Sequence, residues 1–217
     1  MRIHSLTMMV VALSCASCAS LKSPRHQLND GHYRLKESGS KAKKVFIQAA
    51  DDSLFVYKDN KLHEAPLLEN SKFIKHSLDL DLITVAFKYR PSSMEFPRQL
   101  TADFNGNVYV GYRTDQFTKY SEKTPAGIRK TIRHRALTLG AFAGIGSTAI
   151  TPWTTNYRTT DEYSALVITK GVAAMAGVNS LTIGLAIGWD AVTDRDKNIW
   201  IYQNKPWYGV SLGLSIN

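Results

Sequence analysis

The chain has 217 residues, of which 44% are hydrophobic and 21% charged, and 27 lysines and arginines against 18 aspartates and glutamates give a formal net charge of +9. This length suits one domain, or one domain with a small appendage. A polytopic helical membrane protein is excluded, because each helical span needs about 20 nearly uncharged apolar residues. The content of 14 glycines, 7 prolines and 2 cysteines excludes collagen-like, disordered and disulfide-scaffold classes.

The first 20 residues have the order of a secretory signal peptide. Arg2 precedes the short apolar run 6–13 (LTMMVVAL), and small residues follow as far as Ser20. Cys15 and Cys18, each directly after a serine, resemble the cysteine of a bacterial lipobox, which becomes the lipid-modified N-terminus after cleavage. We therefore predict a signal and lipobox region at 1–18 with one of these two cysteines lipidated. The alternative is an ordinary signal peptide that is removed together with both cysteines.

Residues 19–77 form a basic segment with short predicted strands. The stretch 43–58 (KKVFIQAADDSLFVYK) has the pattern of a hairpin that turns at Asp51 and Asp52. Its polar composition leaves two assignments open. The segment either supplies the first strands of the sheet that follows or forms a small periplasmic domain at 30–75.

From residue 78 onwards, large apolar side chains alternate with small or polar ones, and a period of two indicates strands. The clearest case is 181–190 (LTIGLAIGWD). In an earlier strand, Ile83, Val85, Phe87 and Tyr89 form the predicted apolar face. The same pattern predicts six strands, at about 78–90, 99–113, 133–150, 164–177, 180–190 and 206–217.

A helical alternative exists for 165–189, where Lys170 is the single charge and glycines recur at GxxxG spacing. A spacing of four is also even, however, so these glycines fall on the small face of the two-residue period. Asn179 and Ser180 would interrupt such a helix in its middle and suit a turn instead. Strands are therefore the preferred prediction.

Large apolar residues on one face and small or polar residues on the other are typical of a transmembrane β-barrel, whose outer surface meets lipid. The last strand ends at Asn217 and resembles the C-terminal signal of bacterial outer-membrane proteins, although that signal usually ends in an aromatic residue. The prediction is an all-β fold, an antiparallel up-and-down transmembrane β-barrel of about eight strands over 78–217, completed by strands from 33–58. The alternative is a soluble β-sandwich or lipocalin-like barrel. Inward faces rich in glycine and serine favour the membrane barrel, since a dense soluble core needs branched side chains.

The positive charge lies in the first 135 residues, because 136–217 carries five basic and five acidic side chains. Residues 19–78 and 114–135 each contribute a net +4. If the chain ends in the periplasm, up-and-down connectivity places 91–98, 151–163 and 191–205 outside the cell and the basic segments on the periplasmic side. There they would meet anionic headgroups, an acidic protein or solvent.

No catalytic motif, metal-ligand spacing or cofactor motif is present, so the sequence predicts no cofactor, no metal and no catalytic residue. Lys88, Arg90 and Arg113 are predicted to point into the lumen, where Asp190 would pair with one of them. The charged loop at 194–206 is the best candidate for contact with a partner, since exposed aromatics anchor interfaces. Its two aromatic residues are Trp200 and Tyr202. Packing of the loop or a place in a membrane girdle is the preferred role for them.

The sequence thus predicts an exported, lipid-anchored outer-membrane β-barrel protein of a Gram-negative bacterium, with a structural or accessory role and a nearly closed lumen. Its predicted partners are outer-membrane lipid and an outer-membrane or periplasmic protein, whereas export excludes nucleic acid. The alternative is a soluble periplasmic β-domain lipoprotein that binds a ligand or protein.

Lipidation is tested by metabolic labelling with palmitate in cells that express Cys15→Ser, Cys18→Ser and the double variant. We expect one single variant to lose the label and the other to keep it, because only one cysteine becomes the new N-terminus. Label that persists in the double variant would contradict the prediction.

Overall fold

The computed structural model describes residues 28–37, 41–50, 53–58, 61–63, 71–92, 97–125, 127–178 and 181–215. Cys15 and Cys18 lie outside the described residues, as do Asp51 and Asp52. The described part is all-β, with eleven strands in one antiparallel sheet and two single 3-10 turns. The strands are β1 (Gly31–Lys36), β2 (Lys43–Ala50), β3 (Ser53–Lys58), β4 (Lys61–His63), β5 (Lys72–Arg90), β6 (Gln99–Thr101), β7 (Asn105–Thr124), β8 (Gly127–Ile150), β9 (Tyr163–Val178), β10 (Leu181–Val192) and β11 (Pro206–Ser215).

Six of these strands form a partial ring. β5 and β7 to β11 pair in succession, and β11 returns to pair with β5 from Asp81 to Tyr89. The start of β5, at Lys72, Phe73 and Ile74, pairs instead with β1, from which β2, β3 and β4 continue. The all-β, antiparallel prediction is confirmed. The ring has six strands instead of the predicted eight, because β1 to β4 continue the sheet from the start of β5 and do not lie between β5 and β11.

The predicted hairpin at 43–58 is confirmed, since Ala50 of β2 pairs with Ser53 of β3. The predicted long connection at 114–132 is wrong. β7 continues to Thr124, β8 begins at Gly127, and these two residues pair. Both strands run on beyond the apolar part of the sheet as a polar hairpin, where the apolar alternation no longer marks them. The segment predicted as one strand at 99–113 divides into β6 and β7.

The antiparallel order gives the ring two different ends. The connections at 151–162 and 193–205 lie at one end, which we call the loop end, together with the connection from β5 to β6. The turn between β7 and β8 and the strands β1 to β4 lie at the other end, which we call the hairpin end. No helix in the described residues has the length and apolar character needed to cross a membrane.

The alternation of faces along the ring strands is confirmed for β8, β10 and β11, where most large aliphatic residues point outward, with Ile150 and Val192 at the loop end as exceptions. Small, polar or aromatic residues point inward. The inward residues are buried, and the outward ones remain exposed even though most are leucine, isoleucine or valine. The exposed apolar residues of the ring include Leu78, Leu80, Leu82, Val108, Val110, Tyr112, Leu137, Leu139, Ile145, Leu166, Ile168, Val172, Leu181, Ile183, Leu185, Ile187, Tyr208, Leu212 and Leu214.

The predicted apolar face of β5 is wrong in part. Ile83 and Val85 are buried inside the ring, whereas Phe87 and Tyr89 are exposed. The pairing register of β11 with β5 shifts at this point, so Ala86 is an extra residue on β5. A bulge of this kind reverses which face the following residues occupy. The reversal is what turns Lys88 and Arg90 inward.

The interior is filled, and its glycines are what make room for large side chains. Trp207 is fully buried, and a Cβ added to Gly188 would lie 2.3 Å from its ring. A Cβ on Gly209 would meet the same ring at 3.0 Å. Faces rich in glycine therefore pack densely here, contrary to the expectation from sequence, because neighbouring side chains and backbone occupy the space beside the glycines. The apolar centre of the ring comprises Ile83, Val85, Tyr109, Phe142, Ala173, Met175, Ala186 and Trp207.

The pairing of glycine with tryptophan is tested by Gly188→Ala, for which we expect a loss of about 1–3 kcal/mol of unfolding free energy through overpacking. Gly106→Ala is the matched control, because a Cβ at that position meets no atom within 4 Å. Urea denaturation followed by tryptophan fluorescence measures both. Equal stability of the two variants would contradict the packing described.

Candidate functional site: two buried ion clusters

Most of the charged side chains buried inside the ring lie in two clusters, one on either side of its apolar centre. The cluster towards the loop end is named the Asp190 cluster and contains Lys88, Arg90, Thr169 and Asp190. The cluster towards the hairpin end is named the Asp79 cluster and contains Asp79, Arg113, Asp115, His134 and Thr138. Every one of these residues is at least nine-tenths buried.

Asp190 of β10 accepts four hydrogen bonds in its cluster. Lys88 donates to both carboxylate oxygens at 3.1 and 3.0 Å, and Arg90 Nη2 donates to Oδ2 at 2.6 Å. Thr169 of β9 donates to Oδ1 at 2.9 Å. Three strands, β5, β9 and β10, are thereby joined across the interior. The carboxylate is fully hydrogen-bonded, as a buried charge must be to be tolerated.

Aromatic rings cover the cationic side of this cluster. The Lys88 ammonium lies 4.9 Å from the Trp207 ring centre, and the Arg90 guanidinium lies 5.3 Å from that of Trp200 and 4.9 Å from that of Tyr202. Such contacts favour a desolvated cation. Burial raises the pKa of Tyr202, and the nearby Arg90 opposes that rise.

The Asp79 cluster joins β5, β7 and β8. Arg113 Nε donates to Asp115 at 2.9 Å, while its Nη1 lies 3.4 Å from Asp79. Thr138 donates to Asp79 at 3.1 Å, and His134 Nε2 lies 2.7 Å from Asp115. The His134 ring packs against Phe117, whose centroid is 4.8 Å away.

Apolar residues separate the two clusters and close them off at both ends. Tyr109, Phe142 and Met175 belong to the layer between the clusters. Ile150, Ala165, Val167, Val192, Trp200 and Tyr202 form the layer at the loop end. At the hairpin end the layer comprises Leu28, Tyr33, Leu35, Val45, Ile47, Val56, Phe73 and Phe117. Through their ion pairs and hydrogen bonds the two clusters cross-link the strands that carry them.

The structure brings together three of the four site residues that the sequence predicts to line the lumen. Asp190 pairs with both Lys88 and Arg90, while Arg113 belongs to the other cluster and pairs with Asp79 and Asp115. The sequence signal for the Asp79 cluster is present, because Asp79 alternates with the exposed Leu78 and Leu80 in β5, as Asp190 alternates with the large outward residues of β10. The sequence does not predict Asp115 as a site residue because 114–132 reads as a connection, and His134, within the predicted strand at 133–150, therefore has no predicted partner.

Trp200 and Tyr202 do not form an exposed contact surface. Their side chains are 3% and 6% exposed, since the connection between β10 and β11 folds over the end of the ring and covers Arg90. Exposed aromatics at the loop end include Phe104, Trp153 and Tyr157, and the rings of the last two lie 5.8 Å apart. A charged loop sequence does not show which of its aromatics turn inward.

The described residues contain no group of three or more histidine, cysteine, aspartate or glutamate side chains that could hold a metal ion. Comparison with known proteins found no family model, no curated protein and no solved structure that matches the chain. The properties of the site therefore rest on its own geometry.

The Asp190 cluster is tested by Asp190→Asn, which leaves two buried cations without their counter-charge. Removing one partner of a buried ion pair typically costs about 3–5 kcal/mol. Asp161→Asn is the control, because its carboxylate pairs with Arg195 where both side chains are more than half exposed, and such pairs contribute about 0–1 kcal/mol. Chemical denaturation of both variants is the measurement, and a loss below 1 kcal/mol for Asp190→Asn would contradict the role assigned to the cluster.

Proposed function

We propose that the chain is an outer-membrane β-barrel lipoprotein with a structural or accessory role and a nearly closed lumen. The single observation that carries this proposal is the reversed distribution of polarity in the ring. Aliphatic side chains face outward on six strands, while lysine, arginine, aspartate and histidine side chains are buried inside. Water favours the opposite arrangement, whereas lipid favours this one.

The extent of the outward apolar surface supports the proposal. Leu78, Leu139 and Leu185 lie on three different strands and are 74%, 67% and 72% exposed. A soluble monomer seldom exposes a contiguous apolar patch larger than a few hundred Å². Lipid chains would cover such a surface on all sides at once, whereas a single protein partner would cover one side.

Aromatic residues near the loop end support a membrane boundary there. Tyr89 of β5 pairs with Tyr208 of β11, and both are exposed. Trp189 pairs with Lys170, which is the charged residue that points outward from β9. A lysine next to interfacial aromatics can extend its ammonium towards headgroups, so its position agrees with the edge of an apolar band.

The filled interior supports a structural rather than a transport role. Six strands enclose less space than the eight at which side chains already fill a barrel. The apolar layers and the two ion clusters occupy that space. We propose that the protein binds outer-membrane lipid through its outer face and an outer-membrane or periplasmic protein through its end surfaces.

The second candidate is a periplasmic β-domain held to the membrane by a lipid on Cys15 or Cys18, with its apolar face covered by a protein. The number of ring strands favours this candidate, because bacterial single-chain membrane barrels start at eight strands. In this case the ring itself lies in water or against a partner.

Leu185→Arg separates the two candidates. In lipid, an arginine near the middle of the band costs about 2–4 kcal/mol, while in the purified ring of the second candidate, whose outer face then meets water, the change is close to neutral. Leu62→Arg in β4 is the control, since Leu62 is 51% exposed but lies outside the ring. The readouts are the unfolding free energy in lipid vesicles and resistance to carbonate extraction from outer membranes.

We expect the protein to resist carbonate extraction even without its lipid, when Cys15→Ser/Cys18→Ser is combined with a cleavable signal peptide. Of the two arginine variants, we expect only Leu185→Arg to lose stability. Release of the unlipidated protein by carbonate, together with equal stability of the two arginine variants, would contradict membrane insertion and favour the second candidate.

A further inference from the structure

Below the apolar part of the ring, at the hairpin end, the outer face of the sheet becomes basic. Arg34 and Lys36 of β1, Lys72 of β5, and Arg133 and Arg135 of β8 are all exposed there. The acidic residues of β5, and of β7 as far as Tyr120, point inward and are buried. The outer face of this region therefore carries an excess of positive charge.

Pairing registers place this basic face directly beneath the apolar face. Leu78 pairs with Tyr112, which pairs with Leu139, so these three form an apolar row. Four residues nearer the start of β5, Ile74 pairs with Gln116, which pairs with Arg135.

The next row of outward residues has a basic residue on β5 and another on β8. Lys72 pairs with Thr118, which pairs with Arg133. On the other side of β5, Arg34 pairs with Ile74 and Lys36 with Lys72. The basic rows thus cross β1, β5 and β8 at a common level.

The distance from the apolar edge fits the thickness of a headgroup layer. Residues in a strand tilted by about 40° rise about 2.5 Å each along the membrane normal. Arg135 is two residues from the exposed Leu137, and Arg133 is four, so they lie about 5 and 10 Å beyond the apolar edge. The headgroup region of one leaflet is about 5–8 Å thick, so Arg135 lies within it and the long Arg133 side chain can reach back to its outer edge.

Aromatic contacts hold this boundary in the manner of an interfacial belt. The Arg133 guanidinium lies 5.2 Å from the centre of the Tyr120 ring. His76 stacks on Tyr112 at 5.6 Å and forms a hydrogen bond with Thr114 at 3.0 Å. Tyrosine and arginine side chains of this kind are suited to the level where hydrocarbon gives way to headgroups.

We propose that this basic face, defined by Arg34, Lys36, Lys72, Arg133 and Arg135, binds the anionic phospholipid headgroups of the leaflet next to the hairpin end. The proposal rests on the membrane insertion proposed above and names the lipid class that the protein selects. Phosphate recognition by arginine accounts for the preference, and the interaction is screened by salt.

The test uses protein reconstituted in phosphatidylcholine bilayers with a trace of spin-labelled phosphatidylglycerol or spin-labelled phosphatidylcholine. Electron spin resonance measures the fraction of each label that the protein immobilises. The test variant is Arg133→Gln/Arg135→Gln. The control is Lys197→Gln/Lys205→Gln, which removes the same charge from exposed positions at the loop end.

We expect phosphatidylglycerol to be immobilised in preference to phosphatidylcholine, and we expect this preference to fall towards one in the test variant and to persist in the control. Each arginine near a bilayer surface changes lipid association by about fivefold. Equal immobilisation of both lipids, or a preference unchanged in the test variant, would overturn this inference while leaving insertion in place. Immobilisation of neither lipid would overturn insertion and this inference together.

Discussion

The pairing of β11 with β5 is the constraint on which the rest of the structure depends. It gives every residue of the six ring strands either an inward or an outward position. The inward space is narrow, and the large Trp207 side chain is accommodated where Gly188 of the neighbouring strand leaves room for it. The outward positions are under no such restriction and carry leucine, isoleucine and valine instead.

The buried charges follow from the same closure. Lys88 and Arg90 point inward because the bulge at Ala86 reverses the faces of β5, and Asp190 reaches them from β10 on the far side of β11. An ion pair in this position costs desolvation, so its net contribution to stability is small even though breaking it is costly. Its value lies in specifying the register, because a shift of β11 by one residue would separate Asp190 from both cations.

Much of the fold could be predicted from the sequence where one face is apolar and the other small. β8, β10 and β11 show this pattern, and their faces were predicted correctly. The pattern gives no prediction where it ends although the strand continues, as in the polar hairpin that joins β7 to β8. It also failed at the bulge in β5, because a single extra residue leaves no mark on hydrophobicity.

The site was predictable to the extent that inward charges interrupt an alternating strand. Asp190, Lys88 and Arg90 are predicted in this way. The pairing of Arg113 with Asp79, in contrast, depends on the register between β5 and β7. The burial of Trp200 and Tyr202 depends on the path of the connection that carries them, so the sequence alone does not decide between a contact surface and a packed loop. The contacts of both aromatic rings with Arg90 fix that path, and no local sequence pattern indicates these contacts.

A disulfide between β5 and β11 tests the closure of the ring most directly. Leu82 and Leu214 are paired outward neighbours, so Leu82→Cys/Leu214→Cys in a chain with Cys15 and Cys18 replaced by serine should cross-link on mild oxidation. Leu181→Cys/Leu214→Cys is the reference pair, since it joins β10 to β11 whether or not the sheet closes. We predict that both pairs form disulfides within one chain. A reference pair that cross-links while Leu82→Cys/Leu214→Cys stays reduced would contradict the ring.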